Sequence, residues 1–275
     1  MKKFGIVINE TKDPGMEVTN RISSYLNSHG ASCVAVKDAK ELREEVECMM
    51  VLGGDGTLLQ AAGGIAGREI PFIGVNLGTL GYLAEVELDN IEEALDRLLK
   101  DEYELEERIM LQGSIKGKKS DKELSPALND ISITRCGSLQ IVALNIYVNG
   151  QFLCRWNADG IIISTPTGST GYNMSAGGPI VEPGANLILL TPICAHTLNA
   201  RSIILKADDV VEIELDSGHN GSNLQVAANS DGSEEIAMET GDKIFISKAP
   251  NTTKIIKLSK VSFLEILHKK MGDYT

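Results

Sequence analysis

Apolar positions near the start of the chain alternate between strand-length runs and helical stripes. Residues 4–8 (FGIVI) form a short apolar run, Val18, Ile22, Tyr25 and Leu26 follow at helical spacing, and residues 33–36 and 49–52 supply two further runs. The last of these enters Gly53-Gly54-Asp55-Gly56-Thr57 directly, after which Leu58, Leu59, Ala61 and Ala62 begin a helix. Residues 71–75 read as a strand ending at Asn76-Leu77-Gly78-Thr79-Leu80-Gly81. Residues 90–100 predict a helix with Ile91, Ala94, Leu95, Leu98 and Leu99 on one face, capped by Asp89 with Glu92 completing a capping box. Glycine turns at consecutive strand ends predict an α/β region with a ligand crevice at those ends.

Beyond residue 103 the helical period gives way to strands. Residues 131–134, 141–148, 160–165, 187–190, 202–205, 210–215 and 243–246 have strand-like content, and the turns between them are rich in Gly, Asp and Asn. Residues 116–125 are polar and lysine-bearing. The pattern predicts an N-terminal α/β domain ending near residue 103 and a β-rich domain beginning near residue 104. The closing stripe of Phe263, Leu264, Ile266 and Leu267 predicts a short helix. Periodicity alone fits both a helix docked on the first domain and a separate arm.

Composition narrows the function. A net charge of −12 leaves no basic excess to track a polymer of phosphates, so nucleic acid is not an expected partner. The five cysteines lack paired spacing and read as reduced thiols of a cytoplasmic protein. No apolar run is long enough to span a membrane and no HExxH or CxxC metal signature occurs.

Three segments carry chemistry. In the turn at residues 53–57 the glycines admit close backbone approach to a ligand, and Asp55 is placed to accept a hydroxyl proton or to orient that hydroxyl in a phosphoryl transfer; the alternative is a helix cap. Residues 159–178 (DGIIISTPTGSTGYNMSAGG) cluster hydroxyls and turn amides suited to a diphosphate or ribose, with Tyr172 available for stacking, although a sandwich turn favours the same residues. They match neither a P-loop nor a GxGxxG fingerprint, which disfavours an NAD-dependent oxidoreductase. Asn129-Asp130 offers amide and carboxylate groups for ribose hydroxyls or an amide-bearing ligand, or simply forms a turn; Arg155, Trp156 and Asn157 before Asp159 bring a cation and an aromatic surface to the ligand, or form a dimer contact or a surface ion pair; His196 reads as a packing or hydrogen-bonding residue.

In their order along the chain, GGDGTLL at 53–59, GVNLGTLGYL at 74–83, ND at 129–130, DGIIISTPTGSTGYNMSAGGPI at 159–180 and TPICAHTLNAR at 191–201 closely resemble the bacterial NAD kinase family. GGDGT alone is shared with lipid and sugar kinases; the long glycine, serine and threonine block is far more specific. The resemblance implies an α/β catalytic domain of residues 1–103 with a final segment, 253–275, returning to it, a β-rich NAD-binding domain of residues 104–252, and NAD bound in their cleft. It implies Asp55 as proton acceptor and Gly56 lining the active site. Asn129 and Asp130 are then expected to contact the acceptor nucleotide, Thr170, Gly171, Tyr172, Asn173, Met174 and Ser175 to line its adenine and ribose region, Asp159 to read the nicotinamide side, and Arg155 and Asn157 to lie near the nucleotide. It further implies ATP or polyphosphate as donor, a divalent cation such as Mg²⁺, and a homodimer or homotetramer in which a neighbouring subunit approaches the site. Many relatives have NE where this chain has Asn129-Asp130, and RGDG where it has Asn157-Ala158-Asp159-Gly160, which changes carboxylate reach and cation placement. A sugar or lipid kinase and a non-catalytic NAD-binding regulator are the competing functions.

Overall fold

A computed structural model describes residues 1–78, 81–118, 120–137, 141–197, 199–216, 226–233 and 235–272. Thr79 and Leu80 of the second glycine turn, Lys119 of the polar stretch and Leu198 of the segment at 191–201 lie outside the described residues. The chain divides into two compact units, Met1–Arg108 with Thr252–Thr275, and Ile109–Asn251.

The first unit opens with β1 (Lys3–Val7), α1 (Glu17–Ser28), β2 (Ser32–Val36), β3 (Cys48–Gly53), α2 (Asp55–Gly64), β4 (Phe72–Asn76), β5 (Ala84–Glu87), α3 (Ile91–Leu99) and β6 (Glu104–Arg108). Strands β2, β1, β3 and β4 lie side by side in parallel, and β5 pairs with β4. The sequence of β3, CMMVLG, is apolar without alternation because every one of its residues is buried, as a central parallel strand requires. The carboxyl ends of β1, β3 and β4 share one edge of this sheet, so the turns following them are gathered there.

The face of α3 matches its sequence, with Ile91, Ala94, Leu95 and Leu98 buried. Its predicted cap does not. Asp89 lies in a short 3-10 turn, Asn90 precedes the helix without a capping side-chain bond, and the Glu92 carboxylate accepts from Arg21 at 2.8 Å. That 3-10 turn runs straight into α3, and the Ile91 amide at the junction already donates to Leu88 O.

The second unit contains β7 (Leu111–Lys116), β8 (Asp121–Glu123), β9 (Asp130–Arg135), β10 (Val142–Val148), β11 (Gln151–Ala158), β12 (Gly160–Ser164), α4 (Tyr172–Ser175), β13 (Leu187–Ile193), β14 (Ile203–Lys206), β15 (Val211–Asp216), β16 (Val226–Ser230), β17 (Ile236–Met238) and β18 (Lys243–Lys248). Two sheets, ordered β11-β10-β15-β18-β7-β8 and β14-β13-β12-β9-β16-β17, share one apolar core that includes Leu144, Ile146, Trp156, Ile161, Ile163 and Ile213. Alternation explains the sandwich: Val211, Ile213 and Leu215 of β15 point inward between partly exposed acidic residues. The polar stretch at 116–125 holds β8, an edge strand whose three residues are all exposed.

The chain then returns. Strand β19 (Thr253–Lys257) joins the first sheet, parallel to β4 and antiparallel to β6, and buries Ile255 and Ile256. Helix α5 (Phe263–Gly272) follows, and its Lys270 ammonium lies 4.8 Å from the centre of the Tyr82 ring. The final helix therefore packs within the first unit.

Candidate active site

The turn joining β3 to α2 sits at the shared carboxyl edge of the first sheet. Gly53 has no space for a side chain, since a β-carbon there would stand 2.5 Å from Thr57 Oγ1. Asn9, from the turn after β1, donates to that same hydroxyl at 3.1 Å. Gly56 meets nothing within 4 Å of its missing β-carbon, which leaves open space beside Asp55.

Asp55 occupies the first turn of α2, and both its oxygens are engaged. Tyr82 N–H donates to Oδ2 at 2.8 Å and Leu83 N–H to Oδ1 at 3.1 Å. Gly81 permits this approach, because a β-carbon there would lie 1.8 Å from Asp55 Oδ1. Each carboxylate oxygen retains a second lone pair for a further donor. Lys12 also reaches this turn: β-carbons at Gly54 and Gly78 would stand 3.4 and 3.1 Å from its Nζ. An ammonium beside a helix N-terminus and a glycine turn suits anionic phosphate.

In the second unit, Asn129 and Asp130 enter β9 where β12 gives way to the serine- and threonine-rich turn. Thr165 N–H donates to Asn129 O at 2.8 Å, and Thr165 Oγ1 donates to Leu128 O at 2.6 Å. Gly168 closes the junction, since a β-carbon there would come within 2.3 Å of Asn129 O. Asn129 Nδ2 stands 3.3 Å from the corresponding position at Gly171, and its Oδ1 is buried with no hydrogen-bond partner. Asp130 is buried, and desolvation together with the nearby Asp231 carboxylate pushes its pKa up to about 7.

The block at 170–175 has two kinds of residue. Tyr172, Met174 and Ser175 are exposed, and Thr170 and Gly171 are partly so. The Tyr172 phenol is held above its ordinary pKa by burial first and then by the neighbouring charges of Asp130, Cys194 and Asp159. Asn173 is fully buried, and its amide is used internally: Nδ2 donates to Ser169 O at 3.1 Å and Pro179 O at 3.0 Å, while Oδ1 accepts from Thr191 Oγ1 at 2.7 Å. The Asn173 side chain therefore shapes the loop from within.

Asp159 lies at the opposite end of β12. The register pairs Ser164 with Asp130 and Gly160 with Thr134, which separates Asp159 from Asp130 by about 17 Å along the strands. Arg135 clamps Asp159 through two nitrogens at 3.1 and 3.3 Å, and His196 Nε2 stands 3.9 Å away. His196 N–H also donates to Asn157 O at 2.8 Å. Arg155 pairs with Asp216 at 2.6 Å on the outer side of β11. The second unit thus brings Asn129, Asp130 and residues 170–175 together, and holds Asp159 with Asn157 at the far end of β12, within electrostatic reach of Tyr172.

Among the described residues no cluster of three His, Cys, Asp or Glu side chains is placed to hold a metal, and no helix is long and apolar enough to cross a membrane. Asn9, Lys12, Arg135 and Asp231 carry no signal in the sequence. Each is a polar residue in a turn or at a strand end, where neither period nor local motif distinguishes it from a solvated surface position.

Comparison with known proteins agrees with this architecture. Residues 35–103 match the ATP-NAD kinase N-terminal domain and residues 128–258 the ATP-NAD kinase C-terminal domain. The NAD kinase of Agathobacter rectalis is 47% identical with all of both chains covered, and that of Lachnospira eligens is 43% identical over 98% of this chain and 100% of its own. Among solved structures, yeast NADH kinase complexed with NADH superposes with a TM-score of 0.86 at 24% identity, covering 99% of this chain and 88% of its own. An NAD kinase from Archaeoglobus fulgidus in complex with ATP gives 0.80 at 22%, covering 99% of each. A fold shared with both, and sequence identity along its whole length, place this chain in the NAD kinase family.

Proposed function

We propose that this chain transfers the terminal phosphoryl group of ATP to the adenosine 2′-hydroxyl of NAD, with Asp55 accepting the hydroxyl proton. The observation that carries the reading is the Asp55 carboxylate, held by two backbone amides at the first turn of α2 beside open space at Gly56. In the step, the 2′-oxygen forms a bond to the terminal phosphorus as the bond from that phosphorus to the bridging oxygen breaks. The proton passes to Asp55, and the products are NADP and ADP. The amides of Tyr82 and Leu83 fix the carboxylate so that little reorganisation accompanies proton transfer.

Donor phosphate is received by the amides of the turn at 53–57 and by Lys12. Among the described residues Asp55 belongs to no cluster of three metal-binding side chains, and its oxygens already accept two amides, which suits a Mg²⁺ ion carried by the triphosphate better than one in a protein cage. Bound there, the ion supplies charge neutralisation on the phosphates.

The acceptor is held by the second unit, residues 109–251, and the chemistry is performed by the first, residues 1–108 with 252–275. Asn129, Asp130, Thr170, Gly171, Tyr172, Met174 and Ser175 take the adenosine side, where the unpartnered Asn129 Oδ1 awaits a donor. Asp159, Asn157 and Arg155 read the nicotinamide side. The strand-length gap from Asp130 suits opposite ends of a dinucleotide, and also suits service to the site of a second copy in a homodimer or homotetramer. Exposed Phe152 and Leu153 on the edge strand β11 offer a surface for such assembly, and a mass measurement in solution tests it. The five unbonded cysteines suit a reducing cytoplasm.

The residue-level test is Asp55→Asn, which keeps size while removing the base. Turnover is expected to fall by about 10²–10⁴-fold with NAD binding largely retained. Turnover near that of the parent would assign Asp55 to the architecture of the turn.

A further inference from the structure

We infer that Asp231, which follows β16, is the positioning residue for the acceptor nucleotide: its carboxylate sets the backbone from which Asn129 and Asp130 act. The inference rests on the reading that Asn129 and Asp130 hold NAD. Three consecutive backbone amides converge on this one side chain. Leu128 N–H donates to Oδ2 at 2.6 Å, and Asn129 and Asp130 N–H both donate to Oδ1 at 2.9 Å. Asp231 N–H returns a bond to Asp130 O at 3.1 Å. These bonds cross about a hundred residues of sequence, so the turn at 128–130 takes its shape from a distant residue.

The arrangement exceeds what a strand end needs. Register already pairs Ser230 with Ile131, and Asp231 adopts a left-handed φ of 48° that carries its side chain's reach beyond the ladder. The opposite side of the turn is fixed by Ser164 and Thr165, so the Asn129 backbone is held from both sides. Its buried Oδ1 nevertheless has no partner. Such rigid presentation of an unsatisfied acceptor is the form of a preorganised binding group.

Asp231 also acts by its charge. Asp130 is buried close to it and has no compensating cation among the described residues acting on it; the other titratable group facing it is the Tyr172 phenol from α4. Asp231 is itself held above the usual carboxylate range, at about 6, by desolvation that its three amide bonds only partly offset. Removing the Asp231 charge therefore eases ionisation of Asp130.

The test compares Asp231→Ala, Asp231→Asn and Asn129→Ala in the full-length chain, measuring kcat and KM for NAD and for ATP from pH 5.5 to 8.5. Asp231→Ala is expected to raise the KM for NAD by about 10-fold or more while the KM for ATP moves less than about 2-fold. Asp231→Asn keeps the left-handed conformation and one acceptor, so it recovers part of the loss and moves the acidic limb of the NAD profile to lower pH. Should Asp231→Ala fail to fold, that shift in the Asn variant decides the matter. Loss of kcat alone, with both KM values and the pH profile unmoved, assigns Asp231 to stability and overturns the inference. An unchanged KM for NAD in Asn129→Ala overturns the acceptor reading itself, and the inference with it.

Discussion

Gly81→Ala isolates the placement of the Asp55 carboxylate from its chemistry. A β-carbon at residue 81 would stand 1.8 Å from Asp55 Oδ1, 2.4 Å from Cγ and 2.6 Å from Oδ2. Ordinary contact requires these groups to part by roughly 1.5 Å. The substitution therefore acts on the carboxylate by volume. The carboxylate must then leave one or both amides of Tyr82 and Leu83. Displacement on that scale predicts a fall in kcat of about 10²-fold at saturating NAD and ATP. Overpacking predicts a stability loss of about 1–3 kcal/mol. Initial rates of NADP formation and thermal unfolding of the same preparations measure both. In an Asp55→Ala background the space is vacated, so Gly81→Ala is expected to cost almost no stability. A folded Gly81→Ala variant with kcat within threefold of the parent would refute the claim that this carboxylate position matters.

Three further outcomes follow from other contacts. Asn173→Ala strips partners from Ser169 O, Pro179 O and Thr191 Oγ1, so unfolding free energy should drop by about 3 kcal/mol or more and the Tm by roughly 6–12 °C; an unchanged melting curve would contradict the internal role given to Asn173. Asp130 has a folded pKa above its unfolded value, so the stability from its protonated form is full below about pH 4 and is lost as pH rises through about 7; Asp130→Asn should remove up to roughly 4 kcal/mol of that decline, and parallel pH dependences in both proteins would disprove it. Lys12→Ala should raise the KM for ATP by about 10-fold and leave that for NAD unchanged, whereas an effect on NAD alone would place Lys12 elsewhere.

The α/β character of the first unit was legible because β3 and β4 are uninterrupted apolar runs ending in glycine turns, and because α3 carries a clean apolar stripe. Its last interior strand was not. β19, with sequence TKIIK, has no glycine turn and no long run, and joins β4 only after the chain has traversed the whole second unit. Likewise β11 begins with three exposed residues, and β8 is exposed throughout, so neither shows the half-buried alternation that marks a strand. In the site, Asp55 was visible from the glycines around it. The groups that hold it, the amides of Tyr82 and Leu83, are backbone atoms and leave no sequence signature. Asn173 and Tyr172 are neighbours with opposite fates, one committed to the interior and one exposed, a difference set by the single turn of α4. Asp231 is separated by about a hundred positions from the turn it shapes, and only the antiparallel pairing of β16 with β9 brings them together.

The most direct measurement offers the purified protein ATP and magnesium together with NAD, a sugar and a diacylglycerol in one reaction, and locates the transferred phosphate. The account predicts NADP carrying the new phosphate on the adenosine 2′-oxygen, with one ADP released per NADP and the sugar and lipid unchanged. A phosphorylated sugar or lipid beside unaltered NAD would contradict it.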